Sequence, residues 1–448
     1  MRPRTTGEAG LQATHATAWL TRRVLGWALF DVASSTYIAL VPTFFGLYFA
    51  AVIARGEPSA SAWWGVIAAS SLLVAGIVAP IAGAYADRTA RWFLVVVVMT
   101  ASCVLATVLL SVAAAMGVLV AGAVFVVAQA GYTLATSVYD SLVVDVATPS
   151  HRGRISGLGW ALGLLGGIVA IVVALIMLRG TAPAAQVRQL GSVFVVAGVL
   201  FAVLAVPGLA GLRGLRTSAA PLASHAVGLG ASMRAVGTTL RRWREHLPAL
   251  QALVSFFLIN DVLVTIQFFI AIVLSARFCL AVEGLLWLAL LYHLIAIPST
   301  VLFGMLADRW GPKPTVLAMC AALSAAVLLL AFGHADWVPV TAVALLGLVF
   351  ASIQSVFRSL YGSLVPVEQA AEMFGFNAVA GRLSAALGPL IFGVAATAFG
   401  SNTWALCLLL LPLAAGTWML AAANLDSRGG AGEFARQAAG DGVEREAG

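Results

Sequence analysis

The sequence predicts an all-α polytopic membrane protein, with twelve transmembrane helices in two pseudo-symmetric six-helix halves. Three observations predict it. First, 61% of the 448 residues are hydrophobic and 10% are charged, with a mean hydropathy of +1.01; soluble domains are about 45–50% apolar and about 25% charged. Second, stretches such as Phe93–Met116 and Ile155–Leu178 carry no charge, and a helix needs about 20 such residues to cross a bilayer. Third, motifs of the first half return in the second: GAYADRTAR (83–91) as GMLADRWGPK (304–313), Pro149 as Pro366, and Asp31 as Asp261.

Taken in order, the expected spans are 24–54, 62–86, 93–116, 117–146, 155–178, 190–212, 249–276, 282–307, 314–333, 338–362, 374–399 and 402–424. They group into an N-terminal segment (1–23), a first six-helix half (24–212), a polar linker (213–248), a second half (249–424) and a Gly/Ala/Glu-rich tail (425–448) expected to be disordered. With both termini cytoplasmic, nineteen of the 25 Arg and Lys fall in cytoplasmic segments. Arg55, Arg179, Arg188 and Arg277 fall outside, and Arg358 and Arg382 within spans. The positive-inside rule therefore sets the orientation. Trp63, Trp64, Trp92, Trp310, Trp337 and Trp404 lie near span ends, where an interfacial aromatic belt is expected.

The same residues exclude several functions. Lys313 is the only lysine and sits in WGPKP, so the chain has no P-loop GxxxxGK[ST]. Cys103, Cys279, Cys320 and Cys407 are isolated, no HExxH occurs, and no zinc or disulfide framework is suggested. The net charge of +7 reflects arginines in short loops, so no nucleic-acid partner is expected. No paired-Asp GxGD, no GxS nucleophile beside a histidine and no ligand cluster is found. We expect no enzyme, no cofactor and no metal.

Duplicated halves are an architecture of secondary transporters, with the solute site between the halves. The Gly-x-x-x-Asp-Arg motif after span 2, echoed after span 8, resembles the signature of the major facilitator superfamily. WALFDVASSTY (27–37), DVATPSHRGRISGLGWALG (145–163) and AEMFGFNAVAGRLSAALGPLIFG (371–393) resemble, more narrowly, the vacuole-effluxer branch, whose fungal members export amino acids from the vacuole. That resemblance implies the major facilitator fold, with helices 1, 4, 7 and 10 lining a central cavity.

A charge in the hydrocarbon costs at least about 2.5–3.5 kcal/mol on insertion scales, so each buried ionisable residue needs a partner, a cavity or a function. The expected cavity set is Asp31, Ser34, Ser35 and Tyr37 in helix 1; Gln129 and Asp140 in helix 4; Asn260, Asp261 and Gln267 in helix 7; Gln354 and Arg358 in helix 10; and Arg382 in helix 11. Asp31 and Asp261 read as proton- or solute-binding acids, against a static pair or a helix-capping carboxylate. His293 is a candidate proton relay, although a structural histidine is favoured there. Arg382 either binds an anionic group or snorkels to the surface. Asp140 and Arg358 are expected to form a salt bridge closing the cytoplasmic gate, against the alternative that Arg358 snorkels and Asp140 caps its own helix. By resemblance, Asp87, Arg91 and Asp145 hold helices 2, 3 and 4 together, with Gly83 and Arg88 in the same gating motif, and Gly304, Asp308, Arg309 and Lys313 act likewise in the second half.

The expected function is therefore alternating-access transport of a small solute, with amino acids favoured by resemblance and a proton as coupling ion, in the direction of efflux. A sugar or drug exporter of the same fold and a non-transporting membrane sensor stand as alternatives. The lipid bilayer is the expected surrounding and a monomer the expected state. The Arg-rich, Lys-poor composition points to a bacterial cytoplasmic membrane.

Overall fold

The computed structural model describes residues 21–89, 91–142, 146, 152–213, 247–364, 381 and 384–423. Among them are twelve α-helices and no strand. The first half holds α1 (Arg22–Tyr48), α2 (Ala60–Thr89), α3 (Trp92–Leu109), α4 (Gly117–Ser141), α5 (Arg152–Leu178) and α6 (Pro183–Leu212). The second holds α7 (Leu247–Phe278), α8 (Val282–Trp310), α9 (Pro312–Phe332), α10 (Val338–Leu364), α11 (Leu387–Ala398) and α12 (Asn402–Ala422). Among the described residues ten helices are long and apolar enough to span a bilayer, and α5 and α11 contribute the shorter apolar stretches Leu162–Leu178 and Leu387–Ala398.

Within each half the packing repeats. α1 lies against α5 and α6, as α7 lies against α11 and α12; α4 lies against α2 and α3, as α10 lies against α8 and α9. The halves meet through α2 on α11, through its pseudo-equivalent α5 on α8, and through α1 on α7. One face of the bundle carries the α1–α2 turn at Glu57, and we call it the Glu57 face; the opposite one, with the α8–α9 turn, is the Lys313 face.

Two boundaries differ from hydropathy. α6 starts at Pro183, seven residues before the expected span. Proline is favoured in a first helical turn, where its missing N–H has no bond to lose, and the polar turn that follows dilutes the apolar signal. α11 begins at Leu387, after a turn at Ala385–Ala386; continuous apolar sequence hides such a break, because a turn surrounded by protein needs no polar residues. Outward-facing Leu119, Ile176, Val203, Leu411 and Trp418 are exposed, as lipid-facing side chains should be. Trp63, Trp310, Trp337 and Trp404 are also exposed, whereas Trp64 and Trp92 are buried. These last two do not belong to a belt; they pack within the protein.

Candidate functional site

A cavity of about 370 Å³ lies between the halves. Its polar lining comes from Asp31, Ser35 and Thr43 of α1, Tyr132 of α4, Gln267 of α7, Tyr292 and His293 of α8 and Gln354 of α10. The apolar wall includes Ile38, Phe44, Ile266, Ile270, Leu288 and Phe350. α5 and α8 join the four expected helices, because α5 brings Gly163 up to α1 and α8 crosses onto α5.

Asp31 is the one charged residue among the described lining residues. Its backbone carbonyl accepts from Ser34 Oγ at 3.2 Å, but no described residue donates a hydrogen bond to its carboxylate. That carboxylate and Ser35 Oγ crowd Gly163: a Cβ built there would stand 3.1 Å from Asp31 Oδ2 and 2.9 Å from Ser35 Oγ. Glycine at this position leaves the acid its space.

Asp261 occupies the matching place in the second half and does something else. Its Oδ1 accepts the backbone N–H of Gly388 at 2.8 Å, in the first turn of α11. The first N–H groups of a helix have no intrahelical partner and carry partial positive charge, so the carboxylate of α7 caps the restarted α11. Asp261 is 8% exposed and stands outside the cavity lining. The pseudo-equivalent acids have diverged, one open to the cavity and one tied to backbone.

Other expected residues also take up structural places. Tyr37 donates to Gln129 Oε1 at 3.0 Å, and both are buried behind Tyr132, on which Tyr37 stacks at 5.0 Å. Ser34 is buried and spends its hydroxyl on the backbone of its own helix. Asn260 lies behind Gln354, whose Nε2 approaches Asn260 Oδ1 at 3.4 Å. Asp140 and Arg358 are exposed, eight and four residues from cavity-lining Tyr132 and Gln354 toward the Lys313 face, and no bond between the two occurs among the described residues. The side chain of Arg382 lies outside the described residues.

His293 lines the cavity and bridges the halves at once. Its Nδ1 lies 2.8 Å from the Ala289 carbonyl; a carbonyl can only accept, so Nδ1 carries a proton. The other edge of the ring packs on α5, where a Cβ on Gly167 would come within 2.7 Å of Nε2.

The remaining interhalf contacts described lie toward the Glu57 face. Trp64 Nε1 donates to the Phe268 carbonyl at 2.8 Å inside an aromatic group with Phe45, Phe125 and Phe268. Ala62 N–H donates to Thr397 Oγ1 at 3.0 Å. Gln186 of α6 accepts the Glu283 N–H at 3.0 Å, and so caps α8 from the other half. Gly65 and Gly393 meet backbone to backbone: a Cβ on Gly65 would stand 3.1 Å from Gly393 Cα and closer still to the Pro389 carbonyl. The conformation is closed at the Glu57 face.

A family model described as vacuole effluxer Atg22 like matches residues 143–429. The chain belongs to this family. An uncharacterized MFS-type transporter, YxiO of Bacillus subtilis (strain 168), is 25% identical over 418 residues, covering 90% of this chain and 94% of that protein. A D-xylose-proton symporter superposes with a TM-score of 0.70 at 13% identity, over 92% of this chain and 99% of the other. A nucleoside transporter, NupG, gives 0.63 at 13% identity, over 90% and 100%. The fold is thus that of the major facilitator superfamily, and this Atg22-like chain is a multi-pass membrane transporter.

The loop motifs of the Atg22-like chain are unequally visible. Asp145 and the side chains of Asp87 and Arg88 lie outside the described residues. Arg91 is exposed ahead of α3, and Asp308 and Arg309 are exposed at the end of α8. A Cβ at Gly83 or Gly304 would meet nothing within 4 Å, so space alone does not require glycine there in this conformation. Lys313 has a definite job: its Nζ donates to the carbonyls of Ala421 at 2.9 Å and Ala423 at 2.7 Å. It caps the C-terminal end of α12, where a cation also meets the negative end of the helix dipole. Lys313→Met is expected to lower stability by about 0.3–1 kcal/mol, read as a reduced melting temperature in detergent; an unchanged value would show that the cap contributes nothing.

Proposed function

We propose that this Atg22-like transporter exports a small solute, amino acids first among them, in exchange for protons by alternating access. The observation that carries the reading is the Asp31 carboxylate, held in the interhalf cavity without a hydrogen-bond donor among the described residues. A charge in such a place is costly, and a group that alternately takes up a proton and releases it into solute binding gives that charge a use. The favoured orientation sets the Lys313 face in the cytoplasm, which makes the closed Glu57 face the outer one. The test is purified protein in proteoliposomes, screened against amino acids with and without an imposed pH gradient. Gradient-dependent movement of an amino acid supports the reading, and movement that ignores the gradient removes the proton from it.

Asp140 and Arg358, not bonded to each other in this conformation, fit a gate pair that is apart while the Glu57 face is closed and together when that face opens. Asp140→Arg and Arg358→Asp should each cut transport severely, since a dry unpaired charge costs about 3–5 kcal/mol. The charge-swapped double variant should recover part of the rate. A double variant no better than its worse single would sink the pair.

A further inference from the structure

We propose that the solute of this cavity carries an alkylammonium group that docks on the Asp31 carboxylate, its apolar part lying against the wall of Ile38, Phe44, Ile266, Ile270 and Phe350. This rests on the cavity being the transport site, and it goes beyond that reading by naming the charge the site selects. Three observations converge on it. Asp31 is the only charged group among the described lining residues, so its field inside the cavity is not offset there by a described Lys or Arg.

No described residue donates to its carboxylate, whereas the equivalent acid, Asp261, is satisfied by the Gly388 N–H. A desolvated carboxylate without a donor is unfavourable, and an entering ammonium supplies both the missing donors and the opposite charge in one group. Tyr132, Tyr292, Phe44 and Phe350 also line the space, and aromatic faces favour cations.

The same geometry disfavours the mirror-image ligand. A carboxylate of equal size would meet Asp31 across a medium of low dielectric, where like charges repel far more than in water. The broken helix α11, whose N-terminal end could have held an anion, already has its first turn occupied by Asp261. An amino acid therefore binds here by its ammonium end, and its own carboxylate is dispensable.

The test uses the full chain in nanodiscs and three matched probes, phenethylamine, 2-phenylethanol and 3-phenylpropanoate, with binding measured by displacement of radiolabelled phenethylamine and by calorimetry. Phenethylamine should bind at least tenfold more tightly than the alcohol, and the carboxylate should not compete. Asp31→Asn should remove the preference for the amine over the alcohol, and Asp31→Glu should restore part of it. Equal binding of amine and alcohol to the parent protein overturns the proposal whether or not the Asp31 variants fold, as does competition by the carboxylate. Amine preference unchanged in a folded Asp31→Asn variant overturns it too. If the parent binds none of the three probes but moves amino acids in proteoliposomes, the ammonium proposal fails and the transport reading stands. If the amine binds through Asp31 but no solute is moved, the proposal stands and the transport reading fails.

Discussion

Asp31→Asn is expected to abolish pH-gradient-driven accumulation in proteoliposomes, a loss of at least tenfold, or about 1.4 kcal/mol, while leaving the protein folded. Asparagine matches the acid in shape but cannot carry a negative charge through part of the cycle. The paired experiment is Asp261→Asn. There the amide oxygen can still accept the Gly388 N–H, so the cap on α11 survives and transport should fall far less. Asp261→Ala removes the acceptor and strands that N–H, an expected cost of about 1–3 kcal/mol visible as a lower melting temperature. If Asp261→Asn proves the more damaging to accumulation, the assignment of the coupling acid is reversed.

Gly65→Leu should cut transport severely. The position faces the Pro389 carbonyl and Gly393 backbone across the interhalf boundary, and neither can move aside like a flexible side chain. Overpacking of this kind costs about 1–3 kcal/mol, charged only to the conformation in which α2 touches α11. The equilibrium should shift roughly 5- to 150-fold toward the state open at the Glu57 face. Spin labels at Glu57 and Ser401 should report a lengthened distance in the variant. A variant that transports normally with an unchanged distance would show that the two glycines are not a gating contact.

Much of the fold was legible because bilayer crossing imposes a strong constraint on composition: the boundaries of α7, α8, α9 and α10 fall within a few residues of the apolar runs. The broken helix was not legible, since its turn is made of alanines. Within the site, Asp31, Ser35, Gln267, His293 and Gln354 could be picked out because polar atoms are rare in apolar runs. Polarity alone does not say which way a side chain points, however. Tyr37, Gln129 and Asn260 satisfy one another or cavity residues from behind the wall, and Asp261 serves a backbone N–H 127 positions away. Tyr132 follows Gln129 by three residues yet does not stand out, because an aromatic in a membrane helix reads as packing. Trp64 near a span end reads as a membrane-surface anchor, and only the fold places it against Phe268.

The cap that Gln186 places on α8 has a further consequence. The Glu283 amide proton is held by a side chain of the opposite half, with Gln186 itself buried, so it is shielded for as long as the two halves stay together at that face. Parting of the halves breaks that bond and frees the amide to exchange with deuterated solvent, and exchange through such openings measures the free energy of the opened state. One backbone amide thus acts as a label-free clock for the cycle. A solute that draws the transporter into the form open at the Glu57 face should shorten the lifetime of that proton, and one that holds that face closed should lengthen it.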